Sequence, residues 1–445
     1  MPKKQLLDLQ FGKFKNELQL AWERNSFYKK KFAEAGIRPD DIRTREDITK
    51  VPVTTKEDLI KDIENYPPYG SRLQVQTNEI VLVVETSGTS GRGKEVHPLS
   101  SVDLEKVATA ECYGFFWAGV RKGTVVTPLL PVTMAAAGVW WLYALSGLQA
   151  NLFRIGHLDA GEKLNYMKRY GVEVMFAPAS YLSRLEYKAQ EVGLNIRKEL
   201  PSLRSILTSS EGRSVDWAVQ IEKEWGAKLY EQYGCTQRGI AWTCEYGMLH
   251  GDKMGLIHSL PHLCLMEVID KSSGKPVGTG EEGEIILTPF ESRAAPLIRF
   301  ATNDRAKFMT SEYCLCGRPF DGLQCGSIGR YDDMMKIKGL NVWPDAVDRV
   351  VLSWPDVSEY RGELYIDESG SEQAAIHVEF RREIIDVERE AIITQIADKM
   401  RTQVGIRFIV KEWTDVTPLF SSQYRGDTGK VRRWTDRRKE ASRHQ

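Results

Sequence analysis

No run of apolar residues in this 445-residue chain is long enough to span a bilayer: the most apolar stretch, MAAAGVWWLYALSGL, stops short of the roughly 20 residues a membrane helix needs. No sign of charge is in excess, with 61 basic and 61 acidic residues. Nothing therefore draws the chain as a whole to nucleic acid or to an anionic membrane. Cysteine is sparse and odd in number, seven in all without framework spacing, which argues against a disulfide-stapled secreted domain. There is no internal repeat and no low-complexity tract. The first residues, MPKKQLLDLQFGKFKNELQLAWERN, read as an amphipathic helix rather than a signal peptide. A soluble, cytoplasmic protein acting on small molecules or proteins is expected, with a length that calls for two or three folding units.

What is present is, first, an α/β rhythm. After an entry segment of short capped helices, EIVLVVE predicts a buried strand. The runs GTVVTPLL, VEVMFAPA and RSILTSS then alternate with the helical stretches AGEKLNYMKRYG and VDWAVQIEKEWG. Sites in such sheets lie at the carboxyl ends of strands. LCLMEVIDKSSGKPVGTGEEGEIILTPF reads as two antiparallel strands joined by a turn. Beyond GSIGRYDDMMKIKG, a smaller mixed piece has AAIHVEF and IRFIVKEW as strands around a helix. The expected fold is α/β, with a large N-terminal domain of mixed sheets and helices (1–330) and a small mobile α+β C-terminal domain (331–445).

The loop leaving EIVLVVE is TSGTSGRGK, followed by Glu95. It comes within one residue of the phosphate-binding signature G-x-x-x-x-G-K-[ST], but the missing hydroxyl would ligate magnesium. Such a loop should also open a helix, and here Glu95 and a proline-containing VHPLS follow. A Gly/Ser cluster of this kind is usually a linker. Against that, it leaves a strand and combines backbone NH groups, hydroxyls, Arg92 and Lys94, donors that can wrap a polyphosphate.

Five stretches in order settle the reading. TSGTSGRGK resembles the phosphate loop of the adenylate-forming superfamily, which includes acyl-CoA synthetases. YEQYGCTQ resembles its YG-x-TE, LIRFATNDRAKF its RY-x-TGD, GRYDDMMKIKGLNVWP its hinge, and GDTGKVRR its GK-x-x-R. NSFYKKKFAEAGI, VPVTTKEDLI and CLCGR resemble the phenylacetate-CoA ligase branch, and the likeness runs from about Asn25 to Arg438. The resemblance implies an ATP-dependent ligase that activates a carboxylic acid as acyl-AMP and transfers it to CoA, with ATP, Mg2+ and CoA as its small-molecule partners. It also implies a homodimer.

Residue by residue, the resemblance places Thr86, Ser87, Gly88, Thr89, Ser90, Gly91 and Lys94 on the ATP phosphates. Glu211, Tyr233, Gly234 and Thr236 line the nucleotide, Asp304 takes the ribose hydroxyls, and Arg330 flanks them. Lys430 is the catalytic cation, Asp332 the pivot, and Gly339 belongs to the CoA tunnel. One departure stands out: where the family has a magnesium-binding glutamate, this chain has Gln237, a weaker ligand for a hard cation.

The acid pocket falls between LLPVTMAAAGVWW and FAPASYLSRL, with Val132, Met134, Ala135, Ala136 and Ser209 as substrate-binding residues. A family phenylalanine falls on Ala135, which enlarges the cavity towards an aromatic or arylacetic acid, bicyclic ones included. Trp140 and Trp141 could equally be core. Two alternatives stay open: loading of a carrier-protein thiol, and a non-catalytic nucleotide-binding relative. Cys314 and Cys316 form a C-x-C pair that, with Cys244 and His250, would complete a structural zinc site, though His258 and Cys325 compete for places.

Overall fold

The structure is a computed structural model describing residues 1–86, 94–130, 136–209, 211–367, 369–380, 384–415, 419 and 433–438. Its start is helical, as the periodicity predicts. Helices α1 (Lys3–Arg24) and α2 (Ser26–Glu34) meet at Asn25, whose side chain caps α2 by accepting from the Tyr28 NH at 3.2 Å. Helix α3 (Lys56–Asn65) begins with a reciprocal capping box between Thr55 and Asp58. Phe14, Leu18, Tyr28 and Phe32 pack with Leu265, Phe290 and Ile298, so the entry segment is fastened to a sheet formed much later in the chain.

The run EIVLVVE departs from expectation. Strand β1 (Ile80–Glu85) pairs only with β2 (Val96–Ser100) in a two-stranded ribbon; within it Val84 is buried and Val81 is 57% exposed. A ribbon needs one covered face, and a β-branched run serves it as well as it serves a central strand. A strand, not a helix, thus follows the glycine-rich loop. Ser100 then caps α4 (Ser101–Trp117).

The alternating part is realised in the predicted order: β3 (Val125–Pro128), α5 (Ala136–Gly147), β4 (Asn151–Leu152), α6 (Ala160–Tyr170), β5 (Val174–Phe176), α7 (Ala179–Glu191), α8 (Ile196–Glu199), β6 (Ser205–Ser209), α9 (Val215–Trp225) and β7 (Lys228–Gly234). The strands lie parallel in the order β4-β3-β5-β6-β7. Helices α6 and α9 stop on glycines in the left-handed region, Gly171 and Gly226.

The chain then turns antiparallel through β8 (Ile240–Thr243), the small β9 (Leu249–His250) and β10 (Lys253–Met254) hairpin, β11 (Leu256–His258), β12 (Cys264–Ile269), β13 (Glu282–Pro289), β14 (Phe300–Met309), β15 (Gly322–Gln324) and β16 (Gly329–Arg330). All but β9 and β10 join the parallel strands in one twelve-stranded sheet.

Past Arg330, no strand among the described residues joins that sheet. Strands β17 (Met335–Ile337) and β18 (Leu340–Val342) form a hairpin, and α10 (Pro344–Val351) follows. Then β19 (Val357–Ile366), β20 (Glu372–Phe380), α11 (Asp386–Lys399), β21 (Ile409–Glu412) and β22 (Trp434–Asp436) build a four-stranded sheet over its own core of Val347, Tyr360, Ile376 and Ile396. The large mixed α/β part and the smaller α+β part are both as predicted.

Candidate active site

Strands β6 and β7 run parallel with Ser209 opposite Gln232, so Ser209, Glu211 and the turn through Gly234, Thr236 and Gln237 leave the sheet at one carboxyl edge. Here Tyr233 donates its phenol proton to Asp304 Oδ2 at 3.0 Å. Arg330 Nε lies 3.4 Å from Asp304 Oδ1, and the two residues face each other across β14 and β16. Burial, and then the Asp304 charge, push the Tyr233 phenol well above its ordinary value, so it stays a donor. Asp332 Oδ2 is 3.7 Å from Arg330 Nη2. Residues from Tyr233 to Asp332, 99 positions apart in sequence, thus meet in one cluster.

Glu211 belongs to the same edge, and both its oxygens are engaged. Ser180 gives it a backbone NH at 2.9 Å and a hydroxyl at 2.7 Å, and Arg213 an NH at 2.5 Å. Burial works to raise this carboxyl, and the Arg213 and Arg433 charges outweigh it, holding the group below its ordinary value. Glu211 therefore organises the wall of the site rather than offering an open oxygen.

Of the glycine-rich loop, the flanks are defined. The Thr86 NH donates to Glu95 O at 3.0 Å, and the Glu95 NH to Thr86 Oγ1 at 2.9 Å, which clasps the loop at its base. Lys94 Nζ is 3.3 Å from Glu85. Ser87, Gly88, Thr89, Ser90 and Gly91 lie outside the described residues, as do Val132, Met134, Ala135 and Lys430.

Glu95 itself is the residue that sequence reasoning passed over. It is buried, accepts from Gln237 Nε2 at 2.5 Å, and lies 3.2 Å from His97 Nε2 and 3.4 Å from Lys56 Nζ. Burial would raise this carboxyl, but the His97 and Gln237 hydrogen bonds and the Lys56 charge keep it below its ordinary value. Burial also lowers His97, whose Nε2 faces the Glu95 carboxylate. The available signal was the spacing of Glu95 and His97, two apart in extended chain and hence on one face.

In the region expected to form the acid pocket, Ala136, Trp140 and Trp141 are buried, and the Trp141 and Phe176 rings lie 4.0 Å apart. The tryptophans are core, the alternative left open by the sequence. Gly339 closes the β17–β18 hairpin at φ 83° after Lys338 at φ 49°, a two-residue turn with both residues left-handed. Arg433, its side chain 8% exposed, pairs with Glu359 at 2.6 Å and Asp348 at 3.2 Å.

The C-x-C pair does find partners, with one correction. Cys244, Cys314 and Cys316 gather with His258, all four ligand atoms lying within 4.8 Å of one another. His250 is not the fourth member; it approaches Cys314 only to 3.9 Å, because it rides on the β9–β10 hairpin while His258 sits in the main sheet. Cys325 is also outside the group. The Cys244–Cys314 sulfurs are 3.6 Å apart and Cys316 Sγ is 3.5 Å from His258 Nε2. A tetrahedral zinc with Zn–S of about 2.3 Å has edges of about 3.8 Å, so these spacings fit one. His258 Nδ1 is held by Phe320 O at 2.8 Å, leaving Nε2 turned to the sulfurs, as a supported ligand requires.

Comparison with known proteins agrees with this geometry. A family model described as AMP-binding enzyme matches residues 26–288. The chain is 28% identical to the phenylacetate-coenzyme A ligase of Thermus thermophilus, covering 99% of this chain and 98% of that protein. It superposes on crystal structures of a 2-hydroxyisobutyryl-CoA ligase. With 2-HIB-AMP in the postadenylation state, the TM-score is 0.82 at 25% identity, covering 98% of this chain and 90% of that one. With CoA as well, in the thioesterification state, it is 0.69 at 24% identity, covering 100% and 92%. The chain belongs to the AMP-binding enzyme family, in its phenylacetate-CoA ligase-like, adenylate-forming branch.

Proposed function

We propose that this protein is an ATP-dependent ligase that converts an aromatic or arylacetic acid, bicyclic acids included, to its acyl-AMP and then to an acyl-CoA thioester, releasing pyrophosphate and AMP. The observation that carries the reading is the meeting of Tyr233, Asp304 and Arg330 at the carboxyl edge of the sheet. A carboxylate oxygen pair beside an aromatic face suits a ribose and an adenine ring. Carboxylates are poor acyl donors, since the leaving group would be oxide. Adenylation supplies a phosphate leaving group that a thiol can displace.

In this reading the clasped loop with Lys94 holds the β- and γ-phosphates, and Asp304 takes the ribose hydroxyls. Lys430 supplies the charge that stabilises adenylation as carboxylate and α-phosphate meet. The small domain then turns about Asp332, bringing Gly339 to the pantetheine path. Lys430→Ala is expected to slow acyl-AMP formation about 100-fold or more while sparing thioester formation from supplied acyl-AMP. Carboxylate-dependent pyrophosphate release at the wild-type rate would remove Lys430 from this role.

Aromatic over linear acids is favoured by the small residues Ala135 and Ala136 in the sequence of the candidate pocket stretch, and by the Trp141–Phe176 ring pair in the same region. The deciding experiment is a panel of aromatic, arylacetic and linear acids with ATP and with CoA or a carrier protein, read as AMP produced. Turnover of linear acids alone would overturn the substrate class, and AMP formation only with a carrier protein would overturn the acceptor.

The Cys244, His258, Cys314 and Cys316 group is read as a structural zinc site. It joins the ends of β8 and β11 to the segment between β14 and β15.

A further inference from the structure

The family likeness leaves a gap at Gln237, a neutral residue where a cation-binding carboxylate is expected, and the structure offers a carboxylate beside it. Glu95 Oε2 accepts from Gln237 Nε2 at 2.5 Å, 142 residues away in sequence. The contact is buried on both sides, Glu95 being 2% and Gln237 7% exposed.

Three features make the contact more than incidental. First, Glu95 is paired as a carboxylate: Lys56 Nζ stands 3.4 Å from its Oε1, and His97 Nε2 lies 3.2 Å from the same Oε2 that Gln237 meets. An ionised carboxylate can only accept, so Gln237 must present its NH2, and its amide orientation is decided. The amide oxygen is then the atom left for a ligand, and oxygen is what a hard cation takes. Second, a carboxylate behind a ligating group raises that group's basicity, as carboxylates do behind metal-bound imidazoles. A hydrogen-bonded chain in a buried site polarises in the same sense. Third, Glu95 closes the clasp of the glycine-rich loop through its own backbone, while Gln237 lies in the turn directly after Tyr233. The pair therefore ties the phosphate loop to the nucleotide edge.

We propose that Glu95 is a positioning residue for the cation that accompanies ATP: it grips the Gln237 amide nitrogen so that the amide oxygen faces the cation with a buried negative charge behind it. The charge missing at 237 is supplied one hydrogen bond away. This rests on the nucleotide reading of the preceding subsection and adds to it a residue outside the matched motifs.

The test uses Mn2+ as the cation, its retention in the presence of ATP followed by electron paramagnetic resonance without any acid. The full-length wild type is compared with Glu95→Gln, Gln237→Glu and the double exchange. Glu95→Gln is expected to weaken ATP-dependent Mn2+ retention by about 10- to 100-fold, the usual effect of losing a supporting group behind a ligand. Gln237→Glu alone also weakens it, since two carboxylates in contact cannot both ionise. The double exchange keeps one carboxylate and one amide in contact and restores retention, which a merely structural role for Glu95 would not produce. If Glu95→Gln proves too unstable to measure, the comparison of Gln237→Glu with the double exchange decides alone.

Wild-type retention in Glu95→Gln, or a double exchange no better than Gln237→Glu, overturns the proposal while leaving the ligase reading intact. No ATP-dependent Mn2+ signal in the wild type, together with no AMP from any acid, overturns both.

Discussion

At the scale of single residues, the buried carboxyls divide into those that keep their charge and those that give it up. Glu111 has both oxygens 2.8 Å from the Gln232 amide nitrogen, and burial pushes it up to about 8 from an ordinary 4.5. A group raised in this way favours the folded state fully below its unfolded value, and that contribution is lost as pH rises through the folded value. Glu17 and Glu231, also raised by burial to about 7, act in the same sense. The melting temperature is therefore expected to fall from about pH 4.5 to about pH 8, and Glu111→Gln to flatten part of that fall, as thermal melts across pH would register. An unchanged slope in the variant would clear Glu111 of any share. The proposed zinc ligands give a second residue-scale prediction. His258→Ala should weaken zinc binding by more than the roughly 10- to 100-fold that losing a supporting residue costs, whereas His250→Ala should keep the metal. Metal analysis of the two purified variants separates them, and zinc retained by His258→Ala would reverse the assignment. Spacing could not choose between these histidines, which follow Cys244 by six and fourteen residues; the choice depends on which of them a main-sheet strand carries.

At the scale of elements, the alternating part was legible because each signal was local. Helices α6 and α9 combine an apolar face with a capping Asp159 or Ser214 and a terminal glycine. Strand β1 was misjudged because a run of valines says that one face is covered, not how many neighbours the strand has. Glu95 was set aside because its value lies in a partner 142 residues away. The segment after β16 carries the prediction at this scale. The Tyr331 NH donates to Asn303 O at 3.0 Å, the last backbone tie to the large sheet before Asp332. Proline at 332 would fix φ near about −65° and restrict Tyr331 too. Asp332→Pro is expected to slow thioester formation about tenfold or more while changing adenylation little, since misplacement of reactants by about an ångström is costly. Single-turnover assays of each half-reaction decide it, and equal losses in both would count against a pivot at this residue.

At the scale of the whole molecule, the small part is held to the large one by arginines that no local pattern announces. On α10, Asp345 meets Arg305 of β14 at 2.5 Å, and one turn along, Asp348 lies 3.7 Å from Arg213. Both arginines are buried, and both keep a second carboxylate in the large part, Glu282 and Glu211. Undocking α10 therefore leaves neither charge uncompensated, which keeps the cost well under the about 3–5 kcal/mol of stranding a buried ion. Asp345→Asn with Asp348→Asn is expected to loosen this arrangement without unfolding either core, seen as trypsin cleavage after Arg330 or Lys336 that is faster by about the tenfold that 1.4 kcal/mol represents. Unaltered cleavage would show that the pairs do not hold the position. Asp304 adds a consequence of its own, being shared between Tyr233 and Arg330. If the proposed function holds, a ribose that claimed its oxygens would have to loosen Arg330, two residues before the proposed pivot Asp332, so that emptying the nucleotide site and resetting the small domain would become one event rather than two.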